Sequence, residues 1–153
     1  YIHTREGCDF IILDHISLVV SGMDEGKGGE RKDIDKLMTQ LAAFVTVTGC
    51  HIIAVVHLKR RNGFVKKDRD GQIDRENAPY NRGGRISLDD LRGSAGLEQM
   101  SFNIIAVEGD QDEIEGSPDL RWLRVLKNRE WGELGLADSL RYNRTTGRFK
   151  VSL

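Results

Sequence analysis

The chain has 153 residues, 39% hydrophobic and 31% charged, with a formal net charge of −1, the profile of an ordinary soluble, globular, single-domain chain. No apolar run approaches the roughly 20 residues a membrane span needs, and the start Tyr1-Ile2-His3-Thr4-Arg5-Glu6 has no basic region followed by an apolar one. Cys8 and Cys50 fit a reducing compartment better than a disulfide scaffold, and no partner ligands stand at a zinc spacing.

The chain opens on Tyr1 and not on methionine, which points to a fragment or a processed product. Phe10-Ile11-Ile12-Leu13 runs without a polar interruption and ends on Asp14. Such a run predicts a strand buried on both faces of a parallel sheet. Ligands of open α/β sheets sit beyond the carboxyl ends of the strands, so Asp14 is placed to face a hydrated Mg²⁺ beside nucleotide phosphates. A helix cap or an ordinary loop aspartate is the plainer reading. The glycine-rich stretch 21–29 has the wrong order of Gly, Lys and Ser/Thr for a phosphate-cradling loop.

Residues 30–48 predict a helix. Ile34, Leu37, Met38, Leu41, Phe44, Val45 and Thr48 form one stripe, acids sit near the start, and Gly49 offers a stop. Residues 50–56 predict a second buried strand, completing a strand–helix–strand crossover. It ends on His57, as the first ends on Asp14. A structural histidine and a phosphate-facing one are both compatible with that position.

Residues 59–85 show no periodicity and carry nine basic against four acidic residues. This suits either a mobile element contacting phosphates or a tolerated surface insertion. Ser87 is a candidate N-cap for a short helix, followed by small residues at 93–96. A third buried strand is expected at 102–107, then an acidic loop with six acids and no base over 108–119. Paired strands follow at 120–127 and 134–142, the second alternating Leu134, Leu136, Leu140 and Tyr142, with a turn at 143–147 into a last strand.

Several of these pieces, in order, resemble one family. They are Ile11-Ile12-Leu13-Asp14-His15-Ile16-Ser17, Glu30-Arg31-Lys32, Val56-His57-Leu58-Lys59, Asp90-Leu91-Arg92-Gly93-Ser94 with Glu98-Gln99, Leu126-Lys127-Asn128-Arg129 with Gly132 and Gly135, and Tyr142-Asn143-Arg144-Thr145-Thr146-Gly147. Together they resemble the C-terminal part of a RecA-like, ring-forming replicative DNA helicase. The nearest likeness is to the helicase half of short-tailed-phage primase–helicases, with Twinkle and DnaB more distant. The resemblance implies an α/β, RecA-like P-loop NTPase core: a mainly parallel central sheet with helices on both faces and a C-terminal antiparallel extension. It implies one domain over residues 1–153, truncated at its N-terminus.

The same resemblance assigns roles. Asp14 would help hold Mg²⁺ on ATP or another NTP, and His57 would take the place of the γ-phosphate sensor. Arg129 would be the arginine finger reaching a neighbouring subunit's nucleotide, with Lys127 close by. Lys59, Arg92, Gly93, Ser94 and Gln99 would belong to single-stranded DNA contacts. Arg60, Arg61, Lys66 and Lys67 join them on charge alone. Few aromatics, Phe64 and Tyr80, stand in those loops, so phosphate tracking is expected more than base stacking. Identical subunits in a ring and replisome proteins are the implied partners, and the cytoplasm of a bacterial or phage-infected cell the implied setting.

The chain departs from the family in four respects. It has no Gly-x-x-x-x-Gly-Lys-Ser/Thr, and the catalytic glutamate is missing. Glu108-Gly109-Asp110 stands where the relatives tend to carry a basic residue, and the loop after Lys59 looks longer. The chain alone is therefore expected not to hydrolyse ATP. A non-catalytic RecA-like module for assembly or DNA binding, or a recombinase- or clock-type ATPase, are the other readings.

Overall fold

A computed structural model describes residues 7–22, 29–61, 63, 66–67, 69–71, 74–92, 95–109 and 119–151. They fall into two compact units: Tyr1–Lys59 with Asp90–Ser101, and Arg60–Asp89 with Phe102–Leu153.

The first unit is a strand–helix–strand crossover. Strand β1, Phe10–Leu13, pairs in parallel with β2, His51–Ala54, in the register Phe10↔His51 to Leu13↔Ala54. Helix α1, Ile16–Ser21, which the hydrophobic pattern did not announce, follows β1 directly. Helix α2, Glu30–Thr48, has the predicted bounds. Glu30 and Asp33 lie in its first turn, where the dipole favours acids, and Gly49 ends it in the left-handed region at φ 73°, its N–H donating to the Val45 carbonyl at 2.8 Å. Ile16 and Val20 of α1, Ile34, Leu37 and Met38 of α2, and Leu97 of the short helix α3, Ala95–Met100, form the core. Leu13, Ala54 and Val56 pack onto it from the sheet. Burial of the α2 stripe stops near Leu41, and Phe44 is partly exposed.

The expectation that β1 and β2 are buried on both faces is corrected. Their side chains alternate: the inner ones meet the core, while Phe10, Ile12 and Ile53 are 63%, 74% and 56% exposed. Among the described residues of this unit nothing covers that outer face. Ser87 directly precedes a short helical turn, as expected. One 3-10 turn, Leu88–Asp90, follows it, and α3 begins later. The backbone N–H of Gly96 in α3 donates to Oδ1 of Asp35 in α2 at 3.1 Å.

The second unit is a four-stranded antiparallel meander in the order β3-β4-β5-β6: Asn103–Gly109, Leu120–Asn128, Gly135–Asn143 and Arg148–Val151. The larger described sheet is thus the antiparallel one, where a mainly parallel sheet was expected. β3 pairs with β4, not with β1 or β2. It also alternates. Ile105 and Val107 are exposed on one face, whereas Ala106 and Glu108 are buried on the other. A bulge between Leu123 and Arg124 shifts the β4–β5 register and interrupts the alternation expected along β5.

The described residues of the aperiodic stretch from Arg60 to Asp89 form a hydrogen-bonded loop. Asp74 N–H donates to the Lys66 carbonyl, and the Asp74 carboxylate accepts from Glu76 N–H and the Asn77 amide at 3.2 and 2.8 Å. The Asn77 amide foremost, with backbone N–H groups, holds the Asp74 carboxyl below its ordinary pKa. Acidification through that lowered value removes its contribution to the loop. Gly84 passes so close to the Ala78 and Pro79 carbonyls that a Cβ would meet them. The Ile86 N–H donates to Glu108 Oε1 at 2.9 Å, and Glu108, 6% exposed, receives Arg124 through Nε at 2.7 Å and a second nitrogen at 3.1 Å.

Two stability measurements follow. Ile34, 1% exposed in the first unit's core, changed to alanine is expected to cost about 2–5 kcal/mol in urea unfolding. Glu108→Ala leaves Arg124 partly buried without its partner and is expected to cost about 3–5 kcal/mol. A Glu108→Ala loss under 1 kcal/mol would show that the pair does not hold the loop.

Candidate functional site

Parallel pairing brings the carboxyl ends of β1 and β2 to one rim. The Val55 N–H donates to the Leu13 carbonyl at 2.9 Å and the Ile16 N–H to the Val55 carbonyl at 3.1 Å, so the chain segments leaving both strands stay stitched together. Asp14 and His57, both exposed, stand on this rim, and the Asp14–His15 peptide is cis. The His15 and His57 rings meet edge to face, with centroids 4.1 Å apart at 87°. His15 Nδ1 is buried and has no hydrogen-bond partner. Sequence reasoning passed over His15, although it adjoins Asp14 in the same motif.

A two-segment strap extends from the rim. Leu58 and Leu91 form an antiparallel bridge, Arg92 N–H donates to the His57 carbonyl at 2.8 Å, and Lys59 N–H to the Asp90 carbonyl at 2.8 Å. This ladder brings His57, Lys59 and Arg92 together. The Arg92 guanidinium bonds Glu30 Oε2 at 3.2 Å across a half-exposed gap, a pair worth at most about 1 kcal/mol. Gln99 lies exposed on α3. Gly93 and Ser94 lie outside the described residues, as does Phe64.

The other candidates belong to the second unit. Lys127 is half-buried in β4 opposite Ile104. Arg129 follows β4, its N–H donating to the Phe102 carbonyl at 3.0 Å and its guanidinium 4.8 Å from the Phe102 ring centroid. Arg60, Lys66 and Lys67 are exposed. Arg61 makes contacts within the loop. One guanidinium nitrogen donates to the Glu76 and Arg85 carbonyls at 3.0 and 2.9 Å, and the group lies 4.5 Å from the Tyr80 ring centroid. It clasps the loop from inside. Carbonyl acceptors for an arginine leave no trace in a one-dimensional pattern.

Chemically, the first unit's rim offers one exposed carboxylate and two imidazoles. A single carboxylate suits a Mg²⁺ that keeps its waters and takes other ligands from phosphates, and does not suit a closed protein cage. Among the described residues no group of three or more His, Cys, Asp or Glu converges as a metal site.

No family model matches the chain. It is 40% identical over 152 residues to the DNA helicase/primase of Enterobacteria phage T3, an alignment covering 99% of this chain and 24% of that protein. The chain thus spans about a quarter of that relative's length. Among solved structures, a DnaB-like replicative helicase whose structure describes its interactions with primase superposes with a TM-score of 0.65 at 22% identity, over 92% of this chain and 30% of that one. A solved ATPase domain superposes with a TM-score of 0.66 at 22% identity, over 92% of this chain and 43% of its own. By sequence this chain is similar to a segment of a phage DNA helicase/primase, and its fold is similar to parts of a solved ATPase domain and of a DnaB-like replicative helicase.

Proposed function

We propose that the chain is the C-terminal part of the helicase domain of an ATP-dependent replicative DNA helicase, which translocates on single-stranded DNA and unwinds duplex as a ring. The observation that carries this reading is the shared rim. Asp14 and His57 leave neighbouring parallel strands side by side, and the His57 carbonyl is tied to the segment bearing Arg92. The 40% identity to a phage DNA helicase/primase supports it.

In this reading Asp14 holds a hydrated Mg²⁺ on ATP or another NTP; the ion, when bound, neutralises phosphate charge. His57 donates a ring N–H to the terminal phosphate, and the strap passes its state to Lys59 and Arg92. Those two, with Gly93, Ser94, Gln99, Arg60, Lys66 and Lys67, contact the DNA backbone, while Arg61 shapes the loop that carries its neighbours. Lys127 and Arg129 serve the nucleotide of the adjacent subunit, which ties hydrolysis to ring assembly. Replisome proteins, a primase activity among them, are partners, and the setting is the cytoplasm of the infected cell. The phosphate cradle and the water-orienting glutamate lie upstream in the parent protein. The second reading is a non-catalytic module for assembly or DNA binding.

Mixed rings separate the two readings. In the full-length protein, Asp14→Asn and Arg129→Ala are each expected to lower DNA-stimulated ATP hydrolysis, the second by about 10³-fold or more. Mixing the two variants is expected to restore part of the activity, because some interfaces regain an intact Asp14 facing an intact Arg129. Mixtures no more active than either variant alone would refute a finger acting in trans. The isolated 153-residue chain is expected to show no ATP turnover, and measurable turnover would overturn that. Binding of single-stranded DNA is expected to weaken as salt rises, with Lys59→Ala reducing the slope of log K against log salt by about 0.7. A flat salt response would count against backbone contact.

A further inference from the structure

We infer that His15 is a positioning residue for His57: it donates a hydrogen bond from Nδ1 to the ring nitrogen of His57 that does not face the phosphate, and so selects the His57 tautomer. The inference rests on the reading of His57 as the phosphate-facing group. Two observations carry it. The two imidazoles are in ring-to-ring contact, centroids 4.1 Å apart and nearly perpendicular. His15 Nδ1 is buried without any hydrogen-bond partner.

A buried nitrogen left unpaired costs about 1–3 kcal/mol, so a fold that keeps one calls for an explanation. A neutral imidazole has one N–H and one acceptor nitrogen, and the hydrogen bond at one nitrogen decides which proton the other carries. For neutral His57 to donate to a phosphate oxygen, its proton must sit on the phosphate-facing nitrogen, and the opposite nitrogen is then an acceptor that a nearby N–H can hold in place. His15 is the group in ring contact, and its Nδ1 lacks a partner. At 4.1 Å between centroids, rotation of the rings about their side-chain bonds converts the edge-to-face contact into an N–H···N hydrogen bond. No proton is transferred in this step; the bond only fixes where the existing one resides. The neighbouring carboxylate, Asp14, is left to the metal.

The test uses the full-length protein, with ATP hydrolysis measured at saturating single-stranded DNA. His15→Phe keeps a ring and removes the donor, whereas His15→Asn places an amide N–H near the position of Nδ1. His15→Phe is expected to lower kcat about tenfold or more, as loss of an orienting partner does, with KM for ATP changed less than twofold. His15→Asn is expected to recover most of that loss. In a His57→Ala background His15→Phe is expected to have no further effect, since both changes remove one function. Thermal melting of His15→Phe is expected to match or exceed the parent, because the unpaired nitrogen is gone. A His15→Phe protein with full kcat, or one whose loss persists undiminished in the His57→Ala background, overturns the inference while leaving the reading of His57 intact. Full activity of His57→Ala instead overturns that reading and the inference with it.

Discussion

Parallel pairing of two short strands over one helix is the constraint on which the candidate site depends. β1 and β2 are four residues each and hold together through their ladder and through α2, whose Ile34, Leu37 and Met38 fill the space beneath them. Because the strands run the same way, their carboxyl ends coincide, and the polar residues that follow each apolar run meet at one rim. An antiparallel pairing of the same segments would place Asp14 and His57 at opposite ends of the ribbon. The chemistry at the rim is thus a consequence of strand direction, which the connecting helix enforces.

The strap is the second layer of this organisation. The bridge between residues 58 and 91 and its two flanking hydrogen bonds fix the main chain around His57, while its ring is left to pack on His15. The backbone hydrogen bonds hold its main chain, and its ring meets His15 edge to face.

Much of this was legible in the sequence, and what escaped had physical causes. The bounds of α2 were visible because its stripe keeps the 3.6-residue period and Gly49 supplies a left-handed stop. Asp14 and His57 were visible because each ends an apolar run. The layering was not. Phe10, Ile12, Ile105 and Val107 read as buried from composition, yet they face outward in the structure, because an apolar run does not say how many of its faces are covered. The loop of residues 60–89 looked formless because its order comes from carbonyl acceptors and an Asx turn, which have no period. Some of its eight basic side chains also have partners within the unit. Arg61 is turned inward to carbonyls, Arg75 lies 5.0 Å from the Trp122 ring centroid, and Arg85 reaches Glu76 at 3.9 Å.

The outer face of the β1–β2 ribbon has a consequence for how the chain behaves as a material. Phe10, stacked on His51 with centroids 5.3 Å apart, Ile12, Ile53 and Val55 form a contiguous apolar strip beside strand backbone. Open strips of this kind drive self-association at the concentrations used in purification. The net charge of −1 supplies little colloidal repulsion against it. Among the described residues, exposed Ile105 and Val107 of β3 add apolar surface of the same kind.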